Sequence, residues 1–130
     1  MAGTLDALLP IDHHARAYAR KVSEAQAQPR GDDGDGDDRN GGGKATYRLY
    51  EVQNGNHIET YKSPPQLVVP PPNTFPQLEF IQPHAQRAFD LLVGHIDRGN
   101  DLPPSQCVPR GGEIVGDPKQ PGHCANLRAP

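Results

Sequence analysis

The stretch Ala45-Thr46-Tyr47-Arg48-Leu49-Tyr50-Glu51-Val52-Gln53-Asn54-Gly55-Asn56-His57 decides the fold. β-Branched and aromatic residues dominate its first eight positions, which predicts a strand over residues 45–52. Asn54-Gly55-Asn56 is a strong turn signal directly after that strand. His57 then stands on a loop at the strand's C-terminal end.

Upstream, Gly3-Thr4-Leu5-Asp6-Ala7-Leu8-Leu9-Pro10 reads the same way: a strand end, an acid, and a stop at Pro10. A helix is predicted over residues 12–27 between the two. Asp12 is placed to cap it, because a carboxylate accepts the orphan N–H groups of a first turn. Ala15, Tyr18, Ala19 and Val22 recur at helical spacing and mark its buried stripe. Strand, helix, strand predicts a parallel pair. The C-terminal ends of parallel neighbours share one sheet edge, so Asp6 and His57 are expected to meet.

A second helix is predicted from Pro83 to Arg98. Proline suits a first turn, where its missing N–H is not needed, and Gly99 gives the stop. Ala85, Ala88, Phe89, Leu92 and Ile96 form its apolar stripe, with Phe89, like Tyr18, assigned to the core. The fold class is therefore α/β. Residues 1–99 form the ordered part. Within it, residues 28–44 are expected to be a disordered loop, since Gly31 to Gly43 contains only Gly, Asp, Arg and Asn. The proline-rich segment 63–76 is expected to be extended. Residues 100–130 read as an irregular tail.

Composition removes several classes. The chain has 130 residues, with 14 glycines, 15 prolines and no tryptophan. That allows one modest domain carrying long irregular segments. No apolar run approaches the ~20 residues of a membrane span. Met1 to Pro10 lacks the basic start and apolar run of a secretory signal. A net charge of −3 gives no electrostatic reason to expect nucleic acid. Cys107 and Cys124 allow one bridge at most, and a bridge and two free thiols both fit the sequence. His123 beside Cys124 lacks the paired ligand spacings of a zinc site. Asp33, Asp35 and Asp37 match the first ligands of a calcium loop. The match then fails at Asp38, where glycine is needed, and at Lys44, where glutamate is needed. No metal is expected.

An acid and a histidine on adjacent loops suit proton transfer. A histidine acting as base becomes positive, and a carboxylate on its other ring nitrogen fixes the tautomer and stabilises that charge. Asp12, Glu59 and Asp90 are rival acids, read as a cap, an exposed charge and a helix-surface charge. His13, His14, His84, His95 and His123 are read as solvated.

Gly3-Thr4-x-Asp6-x-x-x-Pro10, followed by a helix, a strand and a Gly-x-His57 loop, resembles the C-terminal part of an α/β-hydrolase. In that family the chain order is serine, then Asp or Glu, then His. The resemblance covers Gly3 to about Gly99. It implies an incomplete hydrolase sheet, with Asp6 as triad acid and His57 as triad base. It also implies a small-molecule or oligomeric ester as substrate of the intact enzyme, and it calls for no cofactor. Within the family, Tyr50 to His57 and the tail are most similar to bacterial esterases of the tannase/feruloyl-esterase and 3-hydroxybutyrate-oligomer-hydrolase type. The nucleophile departs from the pattern. Ser23, Ser63 and Ser105 are the serines, and none stands in Gly-x-Ser-x-Gly. The chain alone is therefore expected to be inactive, as the last third or so of a hydrolase, a split gene or a remnant. The rival reading is a non-catalytic small protein that binds a partner through segment 63–76 and the helix faces. Uncovered sheet edges and apolar faces would also favour self-association.

Overall fold

The computed structural model describes residues 1–27, 47–57, 77–119 and 122–130. The predicted loop 28–44 and the proline-rich segment 63–76, with Ser63, Glu59 and the aspartates of the calcium reading, lie outside the described residues. The elements are β1 (Ala2–Gly3), α1 (Ala15–Ala27), β2 (Tyr50–Val52), α2 (Gln82–Arg98) and β3 (Gln106–Val108). The strands make one parallel sheet in the order β1-β2-β3. Gly3 pairs with Val52, and Val52 pairs in turn with Val108. The α/β architecture and the parallel pairing of the Asp6 and His57 strands are as the sequence predicts.

All three residues of β2 are buried, as expected for a strand with neighbours on both sides. Successive side chains face opposite ways. Tyr50 joins Val108 and Ile114 in an apolar cluster, and α2 packs Ala88 and Leu91 against it. The Tyr50 hydroxyl donates to the Pro103 carbonyl at 3.0 Å. Glu51 faces the other way, is 0 % exposed, and meets α1. Its carboxylate accepts from Arg16 Nε at 2.8 Å and Arg16 Nη2 at 2.6 Å, from His123 Nδ1 at 2.6 Å, and from the Cys124 N–H at 2.8 Å. Burial alone would raise the Glu51 pKa. The Arg16, Cys124 and His123 bonds outweigh it and hold the carboxyl below its ordinary value. A buried carboxylate with this many donors stays charged.

Several sequence expectations are corrected. Residues 100–130 are not wholly irregular: they supply β3, and Val108, Ile114 and Cys124 are buried. The sequence shows only a three-residue strand among prolines and glycines there, too short to carry a period. Cys107 and Cys124 form a disulfide, which ties β3 to the segment that bonds Glu51. α1 begins at Ala15 rather than at residue 12. Both the His13 and His14 N–H groups donate to the Pro10 carbonyl, which makes a tight turn ahead of the helix. Asp12 is no cap; its carboxylate takes Arg16 Nη1 at 2.9 Å. Tyr18 is exposed and lies edge-on to Tyr47, with ring centroids 5.5 Å apart.

α2 has the predicted ends. Proline sits in its first turn, and Gly99 adopts a left-handed φ of 70° as its N–H bonds the His95 carbonyl. Its buried face is not the predicted one. His84 and Gly94 are buried, whereas Phe89 is 60 % and Ile96 71 % exposed. The helix is apolar on two sides, and the small side containing Ala88 is the one that fits the cluster. His84, read as solvated, is buried and lies 3.5 Å from Glu79.

Glu51→Gln removes the buried charge partner of Arg16, leaving it only the exposed Asp12 among the described residues, and should cost about 3–5 kcal/mol at neutral pH, read by urea unfolding. Because the folded Glu51 carboxyl titrates below its unfolded value, its stabilisation is complete above about pH 4.3 and is lost as pH falls through the folded value. Wild type should therefore lose more stability than Glu51→Gln between about pH 5 and pH 3. Parallel pH profiles for the two would show that the carboxylate carries no such linkage.

Candidate active site

β1 and β2 end side by side, and the loops leaving them are drawn together by two glycines. A Cβ at Gly3 would lie 2.4 Å from the Gly55 carbonyl oxygen, so only glycine allows this approach. The Leu5 N–H donates to that same carbonyl at 2.9 Å, and the Thr4 N–H donates to the Val52 carbonyl at 3.0 Å. The chain after β1 then turns sharply. Asp6 Oδ1 accepts the Leu8 and Leu9 N–H groups at 2.9 and 2.8 Å. This turn, made by the aspartate's own side chain, leaves Oδ2 facing the neighbouring loop.

His57 meets it there. His57 Nδ1 lies 2.8 Å from Asp6 Oδ2. The His57 N–H is held by Asn56 Oδ1 at 2.7 Å, which fixes the start of the loop. An ionised carboxylate only accepts, so Nδ1 carries a proton, and in the neutral ring Nε2 is then the nitrogen with the lone pair. Among the described residues no group bonds Nε2. Partial burial raises the Asp6 pKa, but the Leu9, His57 and Leu8 bonds outweigh it and hold the carboxyl below its ordinary range. Asp6 is thus kept ionised beside the ring.

A cleft of about 740 Å³ opens on this pair. Leu9, Tyr18, Tyr47, Leu49 and Ile81 give it apolar walls, and His13, His14 and Lys21 stand at its border. A second cleft of about 550 Å³ lies beside the disulfide and contains neither Asp6 nor His57. The chemistry is read from the first, where an acid-paired base faces open space. Among the described residues no group of three or more His, Cys, Asp or Glu is arranged to hold a metal ion.

The remaining candidates fall elsewhere. Asp90 accepts from Gln86 on the surface of α2. His95 Nδ1 lies 2.6 Å from the Asn100 carbonyl oxygen at the helix end. His123, read as solvated, is committed to Glu51. Ser105 Oγ accepts the Leu49 N–H at 2.9 Å and so closes the entrance to β2. The sequence reading missed what Thr4 and Asn54 do. Asn54 stands out as a turn residue, yet its side chain bonds Gln77 and Ala129, partners that no local spacing announces.

No protein-family model matches the chain, and no solved structure matches it. The chain is similar to D-(-)-3-hydroxybutyrate oligomer hydrolases of Burkholderia thailandensis, Burkholderia mallei and Burkholderia pseudomallei. Each is 30 % identical over 115 residues, which cover 85 % of this chain but 13 % of the relative. The chain therefore spans about an eighth of the length of the curated relatives it matches, and it is distantly homologous to a portion of an ester hydrolase of the α/β-hydrolase class. No helix among the described residues is long and apolar enough to cross a membrane.

His57→Ala removes one of the bonds that hold Asp6 ionised. The Asp6 carboxyl pKa should rise towards its ordinary value, as read by carbon-detected NMR titration. An unchanged titration would mean that the pair does not form in solution.

Proposed function

We propose that this chain, a distant homologue of part of the D-(-)-3-hydroxybutyrate oligomer hydrolases, supplies the acid and the base of a serine-type ester hydrolase. The observation that carries the reading is the 2.8 Å contact between Asp6 Oδ2 and His57 Nδ1, with both residues lining a cleft that has apolar walls.

In this reading Asp6 holds His57 in the tautomer that leaves Nε2 basic. Nε2 takes the proton of an attacking serine hydroxyl and then gives it to the leaving alkoxide. Asp6 stabilises the imidazolium in between without itself being protonated. The same base then activates water to release the acyl group. No serine of this chain stands in the required Gly-x-Ser-x-Gly setting, so the nucleophile and the oxyanion donors come from polypeptide outside it. The apolar walls suit the acyl part of a carboxylic ester, and the substrate in the relatives' name makes a 3-hydroxybutyrate oligomer the first ester to test.

The chain assayed alone on activated short-chain esters should show neither a burst of released alcohol nor steady turnover. In a complete hydrolase that contains this segment, His57→Ala should abolish hydrolysis with the fold retained. Asp6→Asn should lower kcat by about 10⁴-fold, because the amide favours the wrong tautomer. Wild-type turnover in either variant would overturn the assignment of that residue.

A further inference from the structure

We infer that Asn54 is the positioning residue of the acid–base pair: its buried side chain and its N–H latch the loops bearing Asp6 and His57 to each other and to residues 127–129. The inference rests on reading Asp6 and His57 as acid and base. It adds what fixes the distance between them.

Asn54 is 0 % exposed and has a left-handed φ of 61°, the only positive φ at a non-glycine among the described residues. Each of its polar groups is used. The N–H donates to Thr4 Oγ1 at 2.9 Å. The carbonyl accepts the Glu79 N–H at 2.9 Å. Nδ2 donates to the Gln77 and Ala129 carbonyls at 2.8 and 2.9 Å, and Oδ1 accepts the Ala129 N–H at 2.7 Å. Thr4 Oγ1 in turn donates to the Leu127 carbonyl. Thr4 lies two residues before Asp6, and Asn54 lies three before His57. One residue thus joins the two loops close to where each presents its catalytic group.

A turn with left-handed φ needs only glycine or asparagine. A residue that served the turn alone would gain nothing from three side-chain bonds to distant backbone. Those bonds instead hold the second loop to Ala129, in the same segment whose Leu127 carbonyl accepts from Thr4 of the first loop, so both loops are referred to one support. A displacement of about 1 Å there would lengthen the Asp6–His57 contact beyond hydrogen-bonding range.

The test uses the 15N-labelled chain and reads the His57 Nδ1–H signal and its exchange with water by NMR. Asn54→Gly keeps the backbone conformation and the N–H bond to Thr4 but removes the side-chain bonds to Gln77 and Ala129. Thr4→Val removes the hydroxyl from the other side, and Val108→Ala weakens the apolar cluster without touching either loop. Asn54→Gly and Thr4→Val should each speed Nδ1–H exchange by about tenfold or more, or abolish the signal, while Val108→Ala leaves it in place. Should Asn54→Gly fail to fold, Thr4→Val carries the same two outcomes. A wild-type signal in the folded latch variants, or equal loss in Val108→Ala, would overturn the positioning role. Asp6→Ala separates the premise: a His57 signal unchanged by it would overturn the acid–base pair itself.

Discussion

A carboxylate sealed from water in the middle strand is the constraint around which the molecule is arranged. Taking Glu51 out of solvent costs several kcal/mol unless donors replace the lost water. Those donors come from two places in the chain: Arg16 of α1, and the neighbouring His123 side chain and Cys124 backbone. Arg16 also donates to the Cys124 carbonyl at 3.0 Å, so the cation and the backbone segment that share the carboxylate are bonded to one another. Neither segment can leave without stranding a buried charge. The disulfide partner of Cys124, Cys107, is the residue paired with Glu51 across the sheet. The ionic cluster and the cross-link therefore hold the same junction from two sides.

That junction sits beneath the candidate site. β2 is gripped by charge on one face and by Tyr50 packing on the other, so its C-terminal end is fixed in space. The loops beyond it inherit this rigidity. Gly3 and Gly55 let the two backbones touch, and the bonds of Asn54 and Thr4 set the register of the contact. A side chain that must transfer a proton benefits from such support, because small misplacements of reacting groups are costly to rate.

The sequence made the order of elements legible because it is written in local chemistry. Alternation, an Asn-Gly turn and a proline stop are all signals that span a few residues. From them the parallel strands follow, and with them the meeting of Asp6 and His57. What sequence left hidden depends on distant partners. Glu51 is one polar letter in a strand, and only the tail's return makes it a buried hub. β3 has three residues and gains its strand character from pairing with β2, not from its own pattern. The face of α2 was misread because two of its sides carry apolar residues, and periodicity alone does not say which side meets the sheet. Tyr18 was misread for the same reason, as an aromatic at the right spacing whose ring lies against Tyr47 at the surface.

The outward side of α2 also changes what a stability measurement means. Phe89, Leu92 and Ile96 face solvent on a helix otherwise anchored by Ala88 and Leu91. Apolar area left in water contributes nothing to folding, yet it gains roughly 25 cal/mol for each Å² that any neighbour covers. A folding free energy measured on the chain by itself is therefore a floor. In surroundings that bury this face, the same residues and the same sheet would unfold later, by an amount set by what covers them.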